Sequence, residues 1–209
     1  LENHDEQRFA SRFYASDPAL AIPSLTAIAT MSRGPLMIYY GQELGEPAND
    51  AEGFSGQDGR TTIFDYWSVP TVRRWYNKGK CDDSKLTSEE IELRKTYSTI
   101  LNLATREKAI AKGDFFDIMY VNYNNPTINP HRVYAYIRSY GSEVIVVALN
   151  FGYERYDCQF TIPQHAFDTL SIGRGTFMAT ELISGKRVRK TLSPDEPFAI
   201  DLQPNSAAI

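Results

Sequence analysis

The sequence has little of what marks a nucleic-acid binder or a membrane protein. Its 22 Lys and Arg residues are outnumbered by 26 Asp and Glu residues, which gives a net charge of −4 at pH 7. No dense Lys/Arg run and no alternation of aromatic and basic residues offsets this balance, which argues against a dedicated nucleic-acid binder. No apolar run is long enough to span a membrane. Cys81 and Cys158 are far apart and can pair or stay free, so they indicate no cellular compartment.

Apolar and aromatic residues, by contrast, are plentiful. A chain of 209 residues with 42% hydrophobic content can form packed cores, as one large domain or two small ones. Thirteen tyrosines and eleven phenylalanines are many for this length. Such residues suit β-sheet surfaces and sugar-stacking platforms, and the β-sheet explanation is the default.

Residues 17–32 carry the signals of a helix. Asp17 and Pro18 supply a cap and a first-turn proline, and apolar residues then recur at helical spacing. Arg33-Gly34-Pro35 predicts the end of this helix. The run Leu36–Tyr40 is short and continuously apolar, which is typical of a buried parallel strand.

A long loop and a second helix follow. Residues 44–66 are rich in glycine, and a loop of this length in a compact domain is more often functional than idle. Thr87-Ser88-Glu89-Glu90 has the pattern of a capping box, and apolar residues continue at helical spacing to Leu103. The first half of the chain therefore predicts mainly helix, with one buried strand.

After Lys112-Gly113 the apolar period changes from helical to alternating. Several short strands at close spacing predict an antiparallel sandwich or barrel. Tyr140-Gly141-Ser142 predicts a turn between the first two strands, and Ile183–Lys186 predicts a hairpin turn. The predicted strands cover residues 132–138, 143–149, 158–162, 176–182 and 198–202.

The strongest candidate for a functional site is Asn3-His4-Asp5. An amide, an imidazole and a carboxylate stand side by side there, a set that is costly to bury and suited to gripping a polyhydroxyl substrate. Polar triplets alone are usually solvated loops. However, the spacing from Asp5 to Glu43 leaves room for one loop, one helix and one strand, close to the about 30 residues of a strand–helix unit in a (β/α)8 barrel. Both polar clusters then fall at the carboxyl ends of strands, where such barrels carry their active sites.

Three motifs in order resemble the C-terminal portion of an α-amylase-type enzyme, glycoside hydrolase family 13. Asn3-His4-Asp5 is similar to the family's motif at the end of barrel strand seven. Residues 34–43 are similar to its strand-eight motif, with the glycine-glutamine-glutamate ending that some members carry. Arg132–Arg138 followed by Val144–Phe151 resembles the opening strands of the family's C-terminal β-sandwich. The resemblance runs through nearly the whole chain.

This resemblance implies an α/β region followed by an all-β region. Residues 1–112 are then the last part of a (β/α)8 TIM barrel, from the end of strand seven through helix eight. Residues 113–209 are then an antiparallel Greek-key β-sandwich domain. The implied reaction is retaining hydrolysis of α-1,4-glucosidic bonds in starch or maltodextrins, with two catalytic carboxyl groups about 5 Å apart.

The resemblance also assigns roles to individual residues. Asp5 is the third acid, which stabilises the transition state, and His4 binds hydroxyls of the same sugar. Asn3, Asp58 and Arg60 are the other substrate-binding candidates. Two of these have structural alternatives, because Asn3 can orient the loop through backbone bonds and Arg60 can form a salt bridge with Asp58 or another aspartate, Asp65.

Three neighbouring charged residues receive supporting roles. The family places its acid catalyst at strand five, so the resemblance implies that Glu43 orders the loop rather than acting as that acid. Glu6 and Arg8 are expected to support the site without touching the sugar.

The family's nucleophilic aspartate, acid/base glutamate and calcium-binding insertion all precede strand seven. The resemblance therefore implies that they lie outside these residues, together with about six of the eight barrel units. We expect no cofactor in this segment, with calcium assigned to the preceding part of the parent, and no hydrolysis of starch by this polypeptide alone. The implied partners are an α-glucan oligosaccharide or polysaccharide and the missing N-terminal barrel, with no nucleic acid and no membrane span. The substrate class favours a periplasmic or secreted location over a cytoplasmic one.

Two other functions stay open. The chain can be a non-catalytic carbohydrate-binding or interaction β-sandwich module, or part of a family member with transglycosylase or isomerase activity. The presence of His4 and Asp5 favours an enzyme, since a relative freed from catalysis need not keep them.

Overall fold

The computed structural model describes residues 1–50, 56–64 and 69–209. The chain divides into two compact units. The first unit comprises Leu1–Leu25 and Pro35–Ser98, and the second comprises Thr26–Gly34 and Thr99–Ile209. The domain boundary predicted between residues 112 and 113 stays a prediction.

Helices dominate the first unit, and strands dominate the second. In the described residues the α-helices are α1 (Ile22–Thr30), α2 (Pro70–Tyr76), α3 (Ser88–Arg106), α4 (Lys108–Ala111), α5 (Met119–Asn122) and α6 (Gln164–Leu170). The strands are β1 (Asp114–Asp117), β2 (Val133–Tyr140), β3 (Glu143–Asn150), β4 (Tyr156–Phe160), β5 (Gly175–Thr180), β6 (Arg187–Leu192), β7 (Phe198–Leu202) and β8 (Ser206–Ala208).

Both predicted helix starts are confirmed. The Asp17 carboxylate accepts a hydrogen bond from the backbone N–H of Ala19 at 2.8 Å, and a short 3-10 turn leads from there into α1. At α3 the capping box is reciprocal, because the Thr87 hydroxyl accepts from the Glu90 N–H at 3.2 Å and the Glu90 carboxylate accepts from the Thr87 N–H at 2.8 Å. These bonds satisfy donors that a helix start otherwise leaves unpaired.

The buried strand predicted at Leu36–Tyr40 is wrong. These residues form no strand, and Met37 is 88% exposed. A strand exists through the hydrogen bonds it makes to a neighbour, and no strand lies in the described residues of the first unit. The segment is anchored by side chains instead, since the Tyr39 hydroxyl donates to the Thr61 carbonyl at 2.7 Å.

The second unit contains the predicted antiparallel strands. Four strands form a sheet in the order β1-β2-β3-β8, while β4 pairs with β7 and β5 pairs with β6. Every pair is antiparallel, with Tyr136 opposite Val147 in the central pair. All five predicted strands overlap observed ones, and both predicted turns are present. Strands β1, β6 and β8 were not predicted, because β1 and β8 are very short and half of the residues of β6 are charged.

The central strands β2 and β3 are buried on both faces. Ala135 and Ile137 belong to one apolar core, which also contains Phe160 of β4 and Phe198 of β7. Tyr136 lies on the opposite face and belongs to a second core, which also contains side chains of α3 and α4. The Greek-key sandwich and the barrel remainder stay predictions, but an antiparallel sheet with helices on its flanks is established.

A buried arginine closes the second core. Arg138 of β2 donates to the carbonyls of Ala109 at 3.1 Å, Ile110 at 2.7 Å, Gly113 at 2.8 Å and Met31 at 2.6 Å. Burial lowers the pKa of Arg138 from its ordinary value. The guanidinium therefore satisfies carbonyls at helix ends, which have no partner within their helices.

Candidate functional site

The Asn3-His4-Asp5 segment forms an exposed turn at the surface of the first unit. The Asn3 side-chain oxygen accepts hydrogen bonds from the backbone N–H of Asp5 at 2.7 Å and of Glu6 at 3.1 Å. Asparagine commonly stabilises turns in this way. This geometry gives Asn3 the loop-orienting role, and its contact with a substrate stays a prediction.

His4 and Asp5 form a solvent-facing pair. The distance from His4 Nε2 to Asp5 Oδ2 is 3.3 Å, and the two side chains are 44% and 77% exposed. An exposed pair of this kind adds little to stability, since water screens it well. Both groups are therefore free to exchange water for another polar ligand.

Directly behind this turn lies a fully buried arginine. Arg8 Nη1 lies 2.7 Å from the Glu2 carboxylate, Nη2 donates to the Tyr40 carbonyl at 2.8 Å, and Nη2 and Nε donate to Thr61 Oγ1 at 2.7 and 3.2 Å. The guanidinium carbon also lies 4.2 Å from the centre of the Tyr39 ring. Arginine can satisfy all of these partners at once because its donors are arranged in a rigid planar fork.

The Arg8 network joins three segments that lie far apart in sequence. Its partners come from the start of the chain, from the segment predicted as a strand, and from the loop around Thr61. Glu2 is itself buried and also accepts from the Phe9 N–H at 2.9 Å. Burial within the same network raises the pKa of Tyr40 to about 12. Sequence analysis assigned Arg8 a supporting role, and the structure gives that role a specific geometry.

Asp58 and Arg60 form the salt bridge that was the structural alternative for Arg60. Arg60 Nε and Nη2 lie 2.8 and 2.5 Å from Asp58 Oδ2. The hydrogen bonds from Arg60 hold the pKa of Asp58 below its ordinary value, and the Asp58 carboxylate raises the pKa of Arg60. The negative charges of Asp5 and Glu6 also raise the Arg60 pKa. The substrate contacts of Asp58 and Arg60 stay predictions, and the other proposed partner, Asp65, lies outside the described residues.

Two hydrogen bonds to backbone carbonyls of this loop hold it close to the first turn. The Arg8 N–H donates to the Gly59 carbonyl at 2.8 Å, and Gln7 Nε2 donates to the Asp58 carbonyl at 3.1 Å. Gly59 has φ +82°, and a Cβ at this position would lie 2.2 Å from Ser11 Oγ. Only glycine accommodates both the positive φ and this close approach.

Glu46 contributes to the order of the following loop, and the loop-ordering role expected for Glu43 stays a prediction. Glu46 is buried and accepts from the Ala48 N–H at 2.9 Å, from the Thr71 N–H at 3.2 Å and from the Thr71 hydroxyl at 2.5 Å. Glu43 is only half-buried. Leu44, Glu46 and Ala48 are all buried, at alternate positions of the loop.

The described residues contain neither a cluster of metal ligands nor a membrane-spanning helix. Across residues 1–50, 56–64 and 69–209, no three His, Cys, Asp or Glu side chains come together as metal ligands would. Within the same ranges, no helix is both long and apolar enough to cross a membrane.

Comparison with known proteins finds matches to this chain in structure but not in sequence. No family model matches it, and no curated protein matches it in sequence. The α-amylase from Geobacillus thermoleovorans, solved with acarbose, covers all of this chain with a TM-score of 0.62 and 18% identity. The chain has the fold of part of an α-amylase. It spans only 37% of that enzyme's chain.

Two other solved structures support the same fold. A maltogenic α-amylase from Thermotoga neapolitana covers the whole chain with a TM-score of 0.60 and 16% identity, and this chain spans 39% of it. An isomaltulose synthase variant from Erwinia rhapontici, solved with D-glucose, covers the whole chain with a TM-score of 0.51 and 20% identity, and 41% of it is spanned. The predicted resemblance to α-amylase-type enzymes is thereby confirmed at the level of the fold.

Proposed function

We propose that the chain is part of a retaining α-glucan hydrolase and carries the acid that stabilises its transition state, Asp5. The substrate is an α-1,4-linked glucan such as starch or a maltodextrin. One observation carries the proposal: in a chain with the α-amylase fold, the exposed pair of His4 and Asp5 projects from a turn that the buried Arg8 network holds in place.

The chemistry of this pair suits a sugar at the point of cleavage. The Asp5 carboxylate accepts hydrogen bonds from sugar hydroxyls, and its negative charge favours the oxocarbenium-like transition state, in which positive charge develops on the ring. His4 binds a hydroxyl of the same sugar. Contacts that strengthen as charge develops lower the barrier, whereas contacts of equal strength in substrate and transition state do not.

Arg60 and Asp58 extend the site along the glucan. Their ion pair is part-buried, and the charge of Asp5 contributes to the raised pKa of Arg60. We assign them to sugars beyond the cleavage point, where planar Arg60 donates to hydroxyls while Asp58 keeps it oriented. The ligands of the structural neighbours support a glucose-based substrate, since one was solved with acarbose and another with D-glucose.

We assign neither the role of nucleophile nor that of acid/base glutamate to any residue of this chain. The chain alone should therefore release no reducing sugar from starch. A measurable release by the purified chain, absent from an Asp5→Asn preparation, would contradict this part of the proposal.

Binding tests the site directly. Acarbose titrated into the chain should shift the backbone amide resonances of residues 3–6 and 58–60 in NMR spectra. Asp5→Asn should weaken that binding by about tenfold or more, a loss typical of a charged hydrogen-bond acceptor. Asp195→Asn is the matched control, since it removes the same charge at an exposed position of the second unit and should bind acarbose as the unmodified chain does. Equal binding by both variants would remove Asp5 from the site.

A second activity is transfer or isomerisation of glucosides rather than hydrolysis. The match to an isomaltulose synthase favours it only at the level of the fold. Product analysis of the parent enzyme with sucrose and with maltotriose separates the two activities. Hydrolysis gives free glucose and shortened maltodextrins, whereas transfer or isomerisation gives new glucosidic linkages.

A further inference from the structure

A cleft in the first unit, apart from the residues of the candidate site, carries a concentrated positive charge. It has a volume of about 580 Å³ and is lined mainly by α2 and the turns that follow it. Its lining contains four cations and no carboxylate: Arg73, Arg74, Lys78 and Lys85. The chain as a whole has a net charge of −4, so this cleft is a local reversal of sign.

The carboxylates nearest in sequence already have partners. Arg74 donates to the Glu90 carboxylate through Nε and Nη2, and the contact from Nε is 3.4 Å. Asp83 lies 3.6 Å from Arg94 Nη1. Asp82 accepts hydrogen bonds from side chains of its own turn. These acids therefore leave most of the positive charge in the cleft without a matching anion.

Three of the cations are available for a ligand. Within the described part of the chain, no ion pair engages Arg73, Lys78 or Lys85. Each is exposed at the surface. Three like charges around one concave surface repel one another, and an anion between them would relieve that repulsion.

The turn that presents these cations is ordered by its own hydrogen bonds. Asn77 is buried with φ +41°, and its Nδ2 donates to Asp82 Oδ1 at 2.9 Å and to Ser84 Oγ at 3.0 Å. The hydrogen bonds from Ser84 and then Asn77 hold the pKa of Asp82 below its ordinary value, so that this anchor stays ionised. A site that is formed before its ligand arrives loses less free energy to ordering on binding.

We propose that this cleft binds a phosphate ester carried by a sugar. Arg73, Lys78 and Lys85 contact the phosphate oxygens, since guanidinium and ammonium groups form strong charge-assisted bonds to them. The Tyr76 ring also lines the cleft and is 55% exposed, which leaves it free to stack on the sugar. The sugar half of the proposal rests on the proposed glucan substrate, and it extends that substrate to phosphorylated glucans held away from Asp5.

Calorimetric titration of the whole chain tests both halves. The ligands are glucose 6-phosphate, inorganic phosphate and glucose, at one ionic strength set with sodium chloride so that screening is constant. Glucose 6-phosphate should bind more tightly than inorganic phosphate, and both more tightly than glucose. No detectable phosphate binding over the chloride background would overturn the proposal, as would equal affinity for the two phosphates.

Variants locate the binding. The triple substitution Arg73→Gln/Lys78→Gln/Lys85→Gln should weaken glucose 6-phosphate binding by about tenfold or more. Lys186→Gln/Arg187→Gln/Arg189→Gln removes the same charge from the β5–β6 hairpin and should leave binding unchanged. Tyr76→Leu should remove the preference for glucose 6-phosphate while keeping phosphate binding. Unchanged binding by the first triple variant, with its circular dichroism spectrum intact, would contradict the assigned cleft.

The two proposals fail in different ways. Loss of acarbose binding in Asp5→Asn concerns the first site and leaves phosphate binding untouched. Loss of phosphate binding in the cleft variant leaves acarbose shifts at residues 3–6 untouched.

Discussion

The two units each contain a buried arginine, and the two arginines are stabilised in different ways. Arg8 in the first unit has a buried carboxylate partner, Glu2, and aromatic rings beside it. Arg138 in the second unit donates to four backbone carbonyls and, among the described residues, forms no ion pair. Arg8 links loops where no strand is described, whereas Arg138 completes helix ends beside a sheet with its own apolar cores.

The two units are held together in different ways. In the first unit, a polar network substitutes for the hydrogen-bonded ladder of a sheet. In the second, the ladders and apolar burial supply most of the order, and the arginine satisfies leftover carbonyls. The site turn at residues 3–5 is therefore dependent on charge pairing, and the sheet is not.

The largest expected effect comes from breaking the Arg8 pair. Arg8→Met should lower the free energy of unfolding by about 3 to 5 kcal/mol, because Glu2 is left buried without a counter-charge. Urea unfolding followed by circular dichroism measures it. Arg155→Met is the control, since the Arg155–Asp201 pair is exposed and its loss should change the free energy of unfolding little. A double variant, Arg8→Met/Glu2→Gln, should recover part of the loss; no recovery would show that the ion pair is not the cause.

Arg138→Met should lower the free energy of unfolding by about 2 to 4 kcal/mol, because four carbonyls lose their donor. The same urea titration applies. Here no single second substitution restores stability, since the partners are backbone atoms. Rescue of Arg138→Met by any one side-chain change at Arg33 or Asp114, the nearby charged groups, would contradict the carbonyl-capping role.

The Asp58–Arg60 and Arg155–Asp201 ion pairs should respond to pH in the same direction. The pKa of Asp58 is held below its ordinary value of 3.8 by Arg60, and that of Asp201 is lowered by Arg155. A lowered folded-state pKa stabilises the folded chain above the unfolded pKa, and this contribution is lost as pH falls through the folded pKa. NMR titration of the carboxyl carbons measures both values. Arg60→Gln should raise the Asp58 pKa and leave Asp201 unchanged, and movement of both would show that the two are not independent.

The smallest expected effect on stability is at the proposed catalytic residue. Asp5→Asn should change the free energy of unfolding by no more than about 0.5 kcal/mol, because the side chain is 77% exposed. Urea unfolding of this variant beside Arg8→Met completes the comparison. A large loss in Asp5→Asn would mean that Asp5 has a structural role and would weaken its assignment to substrate.

Local signals predicted much of the fold. The caps at Asp17 and Thr87 are confirmed because a helix start is decided by residues three or four positions apart. Five of the eight strands described in the second unit were visible because alternation reports burial on one face at a time. The run Leu36–Tyr40 had an equally clear pattern and is not a strand, because a strand also needs a neighbour that no local pattern supplies.

The candidate site was only partly visible in the sequence. Asn3, His4 and Asp5 were identified because three adjacent polar residues form a local pattern, and their resemblance to a family motif added the chemistry. The contacts of Arg8 and the buried carboxylate of Glu46 join segments 25 to 53 positions apart. Side-chain contacts at such separations depend on how the chain is packed, and residue spacing alone does not indicate them.

The sequence by itself determined where α1 and α3 begin, which five segments alternate as strands, and which polar triplet is the candidate site. These features depend on neighbours within about one helical turn or one strand repeat. The tertiary structure alone decided that Arg8 and Arg138 are buried and which partners they bind. It also decided that Glu46 is buried against Thr71, and that four cations share one cleft. A charged side chain is buried only where several distant groups come together to satisfy it, and only the folded chain brings those groups together.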